Sequence, residues 1–357
     1  MKVTQWIRAL SLLWTCAGLL PLSAQTVTIL ATFNGANGRG PNALILGNDG
    51  NLYGTTGYGG SGACTLAGFT GCGTVFQISQ ITQRGSLTTL HNFNIADGAY
   101  PGVALGHTLT LGQDGNIYGA TTQGGDLSAC TGTPKGCGTI YKITTGGTLT
   151  TLHEFQNTAS IDICNPASNE DGGIPYNPPI QGSDGNFYGT TYDQGTFYQM
   201  TPDGQVATLF VFPSYSNPAG SSPVANPVQG PDGNFYGSTL SGTLFKISAA
   251  GDLTTLYTFG TGTGMTIPLV LGSDGNFYGA TTGGGTTNAA CPAGCGEIFS
   301  ITPGGAFSSL HVFSGGADGT GAAELFRGSD GNIYGATLIG SNSALFQVIP
   351  SGTLNTL

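Results

Sequence analysis

The ten residues GSDGNFYGTT (182–191) recur in near-identical form at 47–56, 112–121, 230–239, 272–281 and 328–337, six copies in all. No other feature limits the possible folds as much. Each unit is too small to bury a core alone, so the units must stack on one another. The flanks of every copy share one order. An extended apolar stretch such as ALIL (43–46) or PLVL (268–271) comes first, and Asp-Gly follows, supplying the two central residues of a hairpin turn. The chain returns through NFYGTT. A strand of the type GTVFQIS (73–79) or GTLFKIS (242–248) comes next, then a polar turn, then an outer strand such as GSLTTLHNF (85–93). Four short strands joined mostly by tight turns read as an antiparallel meander.

In the second strand, Tyr53, Tyr118, Tyr188, Tyr236, Tyr278 and Tyr334 share one face, and Leu52, Ile117, Phe187, Phe235, Phe277 and Ile333 share the other. Both faces are apolar or aromatic, so each sheet must be covered twice. Each such side chain contributes on the order of 1.5–3 kcal/mol when buried. Six four-stranded sheets arranged about an axis, a β-propeller, satisfy this demand. The expected fold is therefore all-β, with six blades and a terminal strand completing the last one. Two segments compete for that last place: TVTILATF (26–33), and GTLNTL (352–357), which lacks a final aromatic. The glycine after each tyrosine is expected to let neighbouring backbones approach closely.

Composition agrees with strands and turns rather than helices, with Gly at 63 of 357 residues and charged residues at only 7%. The net charge of −10 argues against nucleic-acid or anionic-membrane partners. Residues 1–24 have a basic start, a short apolar run and small residues at Ser23 and Ala24, the pattern of a secretory signal peptide. A lipoprotein anchor at Cys16 is the rival reading. Residues 25–357 are then one repeat domain, secreted or at the cell surface, with no membrane span. Six of the remaining cysteines form close pairs, Cys64 with Cys72, Cys130 with Cys137 and Cys291 with Cys295, read as local disulfides and not as a zinc site. In the chain-entropy model each contributes about 2–2.5 kcal/mol. Cys164 has no evident partner.

The pattern DGNFYGTT, then GG, then GTVFKIT-like and LTTLHSF-like strands resembles the GloVer tandem repeat of exported bacterial choice-of-anchor proteins. That resemblance implies an exported propeller-like repeat protein, often attached to the surface by a C-terminal sorting signal, with no biochemical activity assigned to the repeat.

Chemistry is sparse. His91, His153 and His311 share a repeat position that elsewhere holds Ala31, Phe210 and Tyr257, so they read as packing residues. His107, with Asn42 and Asn177, starts a first strand and is placed to line the central channel. No G-x-S-x-G elbow is present, and GSDGNFYG differs by one residue in spacing from the Asp-box of sialidases. The third and fourth repeats have short second-to-third loops, and beside that gap runs the longest outer-to-inner loop, 156–177. A ligand or cation is expected there, near Asp162, Glu170, Asp171, Tyr176, Tyr192 and Asp193. No resident metal or cofactor is expected, and calcium has no D-x-D-x-D-G loop to hold it. The leading expectation is a non-catalytic scaffold or binding module recognising an extracellular glycan or protein. A secreted carbohydrate-active hydrolase or lyase working from the loop-rich face is the alternative.

Overall fold

The computed structural model describes residues 29–66, 68–79, 85–101, 109–127, 136–156, 171–192, 195–213, 223, 225–260, 263–264, 267–289, 291–316, 318–338, 344–349 and 353–357. The expected leader, His107, Cys130, Asp162, Cys164, Glu170 and Asp193 lie outside these. The described residues form a six-bladed β-propeller of antiparallel sheets and contain no helix. Blade one is built from Arg39–Leu46, Leu52–Tyr58, Thr74–Ser79 and Ser86–Asn92, paired in that order, with a small hairpin, Thr65–Leu66 against Phe69–Thr70, in its loop. In blade two, Ala99–Pro101 and Thr110–Leu111 both pair with Ile117–Gln123, followed by Thr139–Ile143 and Leu149–Glu154. Blades three, four and five start at Ile180–Gln181, Val228–Gln229 and Val270–Leu271 and end at Val206–Val211, Leu253–Thr258 and Phe307–Val312. Blade six comprises Thr320–Arg327, Ile333–Leu338, Leu345–Val348 and Leu354–Thr356.

The repeated DGN–Tyr signature makes both a turn and a cap. Gly50 has φ of 78°, a conformation that glycine adopts without steric cost, and its N–H donates to the Gly47 carbonyl at 3.0 Å. Asp49 accepts from the Asn51 backbone N–H at 3.1 Å and the Asn51 side chain at 2.8 Å. Its second oxygen also accepts the Tyr53 hydroxyl at 2.6 Å. The same tyrosine-to-aspartate bond recurs in every other blade, at 3.0 Å for Tyr118, 2.8 Å for Tyr188, Tyr236 and Tyr334, and 2.9 Å for Tyr278. The carboxylate thus holds the turn and satisfies a hydroxyl whose ring is buried, which otherwise costs a desolvation penalty.

Tyrosine rings of one blade meet the apolar face of the next. Ring centroids are 4.2 Å apart for Tyr118 and Phe187, 4.2 Å for Tyr188 and Phe235, and 4.0 Å for Tyr236 and Phe277. Tyr53 shares a cluster with Ile117, and Tyr278 with Ile333. Farther out, the aromatic that follows each outer strand packs on an aromatic of the next blade: Phe93 on Tyr141, Phe155 on Tyr198, Phe212 on Phe245, Phe259 on Phe299 and Phe313 on Phe346.

One expectation is corrected and one open choice is resolved. The glycine after each tyrosine makes room inside its own sheet, not between blades. Gly54 pairs with Phe76, and a Cβ on Gly54 would stand 2.6 Å from that ring; Gly237 and Phe245 repeat the arrangement at 2.6 Å. The competition between terminal segments also has a definite outcome. Leu354–Thr356 pairs with Leu345–Val348 and completes blade six, while the described part of the N-terminal segment, 29–34, belongs to no strand.

Candidate functional site

Towards the axis, the first strands of blades two to five and the residues just before them line a cavity of about 260 Å³, open on one side, made by Leu109, Thr110, Asn177, Pro178, Ile180, Asn226, Pro227, Val228, Pro268 and Leu269. Seven of these ten residues are apolar, Thr110, Asn177 and Asn226 are polar, and none is charged. The first strands face the axis because each is the inner edge of its sheet, and their few ladder bonds leave the preceding residues free to turn inward. Asn226 is more than nine-tenths buried, its amide NH₂ donates to the Pro178 carbonyl, and its Oδ1 has no hydrogen-bond partner among the described residues. A buried amide oxygen left unsatisfied costs about 1–3 kcal/mol. Asn177, expected on the channel, does line it. Asn42 does not; it donates to Thr55 Oγ1 at 3.1 Å and to the Pro101 carbonyl at 3.0 Å, tying blade one to blade two.

The expected rim site is brought together only in part. Tyr176 and Tyr192 pair with ring centroids 4.8 Å apart, beside the cavity residue Asn177. Asp171 turns the other way. It accepts from His153 Nε2 and from the Gln156 backbone N–H at 3.0 Å, and its own carbonyl accepts from Thr196 Oγ1 at 3.2 Å in the next blade. Asp97 repeats the device, with His91 Nε2 at 3.0 Å and Thr139 Oγ1 at 3.2 Å, and His311 Nε2 lies 3.1 Å from Asp318. These histidines pack edge-on against Phe93, Phe155 and Phe313 and in addition clip the outer-to-inner loops. The periodic co-occurrence of an outer-strand His with a following Asp-Gly carried that signal in the sequence. The recurrence of Asn-Pro at 177–178 and 226–227 likewise pointed to Asn226, a residue the sequence reading missed.

The same three blades carry the cysteine pairs. Cys64–Cys72 and Cys291–Cys295 are disulfides with Cα atoms 4.9 and 5.1 Å apart, and Cys137 is disulfide-bonded. The carbonyls of Cys72, Cys137 and Cys295 accept from the N–H of Tyr100, Ile174 and Gly321 in the next blade, at 2.8, 2.7 and 2.7 Å. Tyr100 and Ile174 take φ of 58° and 55° to make these bonds. For side chains with a Cβ that conformation costs roughly 1–2 kcal/mol, so the crosslinked loops hold strained neighbours in place. Disulfides of this kind fit an oxidising, extracytoplasmic compartment. Among the described residues no group of three or more His, Cys, Asp or Glu side chains stands ready to hold a metal, and no helix is long and apolar enough to cross a membrane.

A family model, the Gloeobacter/Verrucomicrobia repeat, matches residues 19–172 and again 174–357. The chain belongs to that family. No curated protein matches it in sequence. Among solved structures it is similar to virginiamycin B lyase from Staphylococcus aureus, with a TM-score of 0.58 and 16% identity over 89% of this chain and 84% of the lyase. It is also similar to a protein from Lactobacillus plantarum, with a TM-score of 0.51 and 20% identity over 79% and 76% of the two chains. At such identities the likeness is one of fold.

Proposed function

We propose that this protein is an exported, non-catalytic binding module, secreted or held at the cell surface, that takes an uncharged ligand at the axial cavity. A sugar ring has the required chemistry: an apolar face for the proline and leucine walls, and hydroxyl donors for Asn226 Oδ1. The observation that supports this reading is the buried, unpartnered Asn226 oxygen in a mostly apolar, charge-free wall. The cavity volume of about 260 Å³ suits one or two rings or a short side chain, below the size range of drug-like sites. The paired Tyr176 and Tyr192 rings next to Asn177 extend the surface on which a longer glycan would lie.

Screening the mature protein on a glycan array, then measuring the best hit by calorimetry against Asn226→Leu, tests the proposal. Loss of one buried hydrogen bond predicts weakening of about tenfold or more, with little change in thermal stability, because relief of the unpaired Oδ1 is offset by the Pro178 carbonyl losing its donor. An array without hits, or equal affinity in the variant, would remove the cavity from consideration.

A further inference from the structure

We infer that the seam between blade six and blade one is a docking site for one more three-stranded meander of this same repeat. The first observation is the front face of blade six. Leu345 is 61% exposed, whereas Val75, Ile140, Phe197, Leu244 and Ile298, at the same place in the other blades, are all 0% exposed. Phe326 is 56% exposed, and Tyr334 is half-buried where every other tyrosine of its set is fully buried. With no next blade to meet, Tyr334 stacks on Phe326 of its own sheet, centroids 5.6 Å apart.

The second observation is the rear face of blade one. Leu44 is 45% exposed against 6% for Leu109 and 4% for Leu269 and Leu325. Leu46 is 59% exposed, and Leu52 is half-buried where Ile117, Phe187, Phe235, Phe277 and Ile333 are 0% exposed. The two faces are the two halves of an interface that the chain forms five times internally.

The third observation says what fits between them. The outer part of blade one's rear face is already covered by residues 29–34, which repeat three contacts of an outer strand and its loop. Phe33 packs on Phe76 at 4.8 Å, as Phe93 does on Tyr141. A Cβ on Gly85 would stand 2.9 Å from the Leu30 carbonyl oxygen, just as one on Gly204 would meet that of Leu152. The Asn34 N–H donates to Asn37 Oδ1 at 2.8 Å, matching Asn94 and Asp97 at 2.8 Å. Yet 29–34 pairs with no strand among the described residues. The terminal segments therefore do not compete: one finishes blade six, and the other is the outer strand of a further blade whose three inner strands have no counterpart among the described residues. The occupant must present an apolar side chain towards Tyr334 and Phe326, a tyrosine towards Leu52, and a third strand whose free edge pairs with 29–33. Those are the properties of the first three strands of this repeat. A second copy docked end to end would cover the faces and leave 29–33 unpaired.

The test uses the full mature chain and a synthetic peptide of residues 225–248, the cysteine-free inner three strands of blade four, added in trans and also fused after Leu357. Saturable binding is expected, with new hydrogen-exchange protection at 29–33, 44–52, 334–338 and 344–345. The fusion should raise Tm by several degrees, on the order of 3–5 °C. Leu345→Asp, a change at an exposed site, should weaken binding about tenfold or more, and Leu44→Asp should do the same from the opposite face. The inference is overturned if neither peptide nor fusion alters exchange or Tm. It is equally overturned if the free monomer already protects both faces, or if light scattering shows a dimer that protects them without the peptide. Because no readout involves the axial cavity, failure here leaves the glycan proposal intact, and the converse also holds.

Discussion

Leu345 and Phe197 occupy one repeat position in blades six and three, and the first is 61% exposed while the second is 0% exposed. The comparison teaches that burial in this protein belongs to the stack, not to the repeat. A blade sequence supplies two adhesive faces, and each becomes core only where another blade lies against it. The internal interfaces and the seam thus form a natural pair of controls.

The largest expected contrast uses those two residues directly. Phe197→Ala should cost about 3–5 kcal/mol in urea unfolding, because it empties a site between Tyr188 and Phe235, whereas Leu345→Ala should change stability by no more than about 0.5 kcal/mol. Similar losses at both sites would mean that the seam is as well packed as the interior.

A second experiment asks whether crosslinks act locally. Reducing Cys64–Cys72 should lower stability by about 2 kcal/mol in the chain-entropy model and raise exchange at Tyr100, whose N–H bonds the Cys72 carbonyl, while leaving the seam unchanged. Propagation to blade four, measured by the same exchange experiment, would break the view that contacts run only between neighbours.

Smaller effects separate two kinds of buried tyrosine. Tyr188→Phe removes a hydroxyl held by Asp184 and by Gln199 at 2.7 Å and should cost about 1 kcal/mol. Tyr198→Phe removes a buried hydroxyl with no hydrogen-bond partner among the described residues and should be neutral or stabilising by up to about 1 kcal/mol. Equal losses in chemical denaturation would sink the distinction.

The pH dependence follows from the same bond. Burial, and then the hydrogen bond to the carboxylate, push Tyr53 and Tyr188 up to about 12. A folded pKa above the unfolded value of roughly 10 means that their contribution is complete below about pH 10 and is lost as pH rises towards 12. On the acid side, burial alone raises Asp184, but hydrogen bonds from Tyr188 and Asn186 outweigh it and hold the carboxyl below its ordinary value. That contribution is present above the unfolded pKa of about 3.9 and disappears as pH falls below it. Stability measured across pH should therefore form a broad plateau with loss at both ends, and Tyr188→Phe should flatten the alkaline limb.

Much of the blade was legible in the sequence because it rests on short-range rules. Alternation set the two faces of the Tyr-bearing strand, Asp-Gly set the turn, and adjacency paired Cys64 with Cys72. The rest required distant groups to meet. Asp49 gave no hint beyond its turn that it would also hold the Tyr53 hydroxyl, and Gly54 gave none that its missing Cβ makes room for Phe76 across the sheet. Of the candidate site, Tyr176 and Tyr192 do come together, and Asp171 is instead drawn off by His153; Asn226 entered only once the first strands of blades two to five were placed about the axis.

By itself the sequence determined the unit: its strands, turns, two apolar faces and the number of copies, all of which follow from local geometry and periodicity. Only the tertiary structure decided which terminal strand completes blade six, which polar groups find partners and where two faces remain uncovered. The physical reason is that stacking is a property of neighbours, and a repeat written identically at the middle and at the end of a chain cannot encode whether another copy stands beside it.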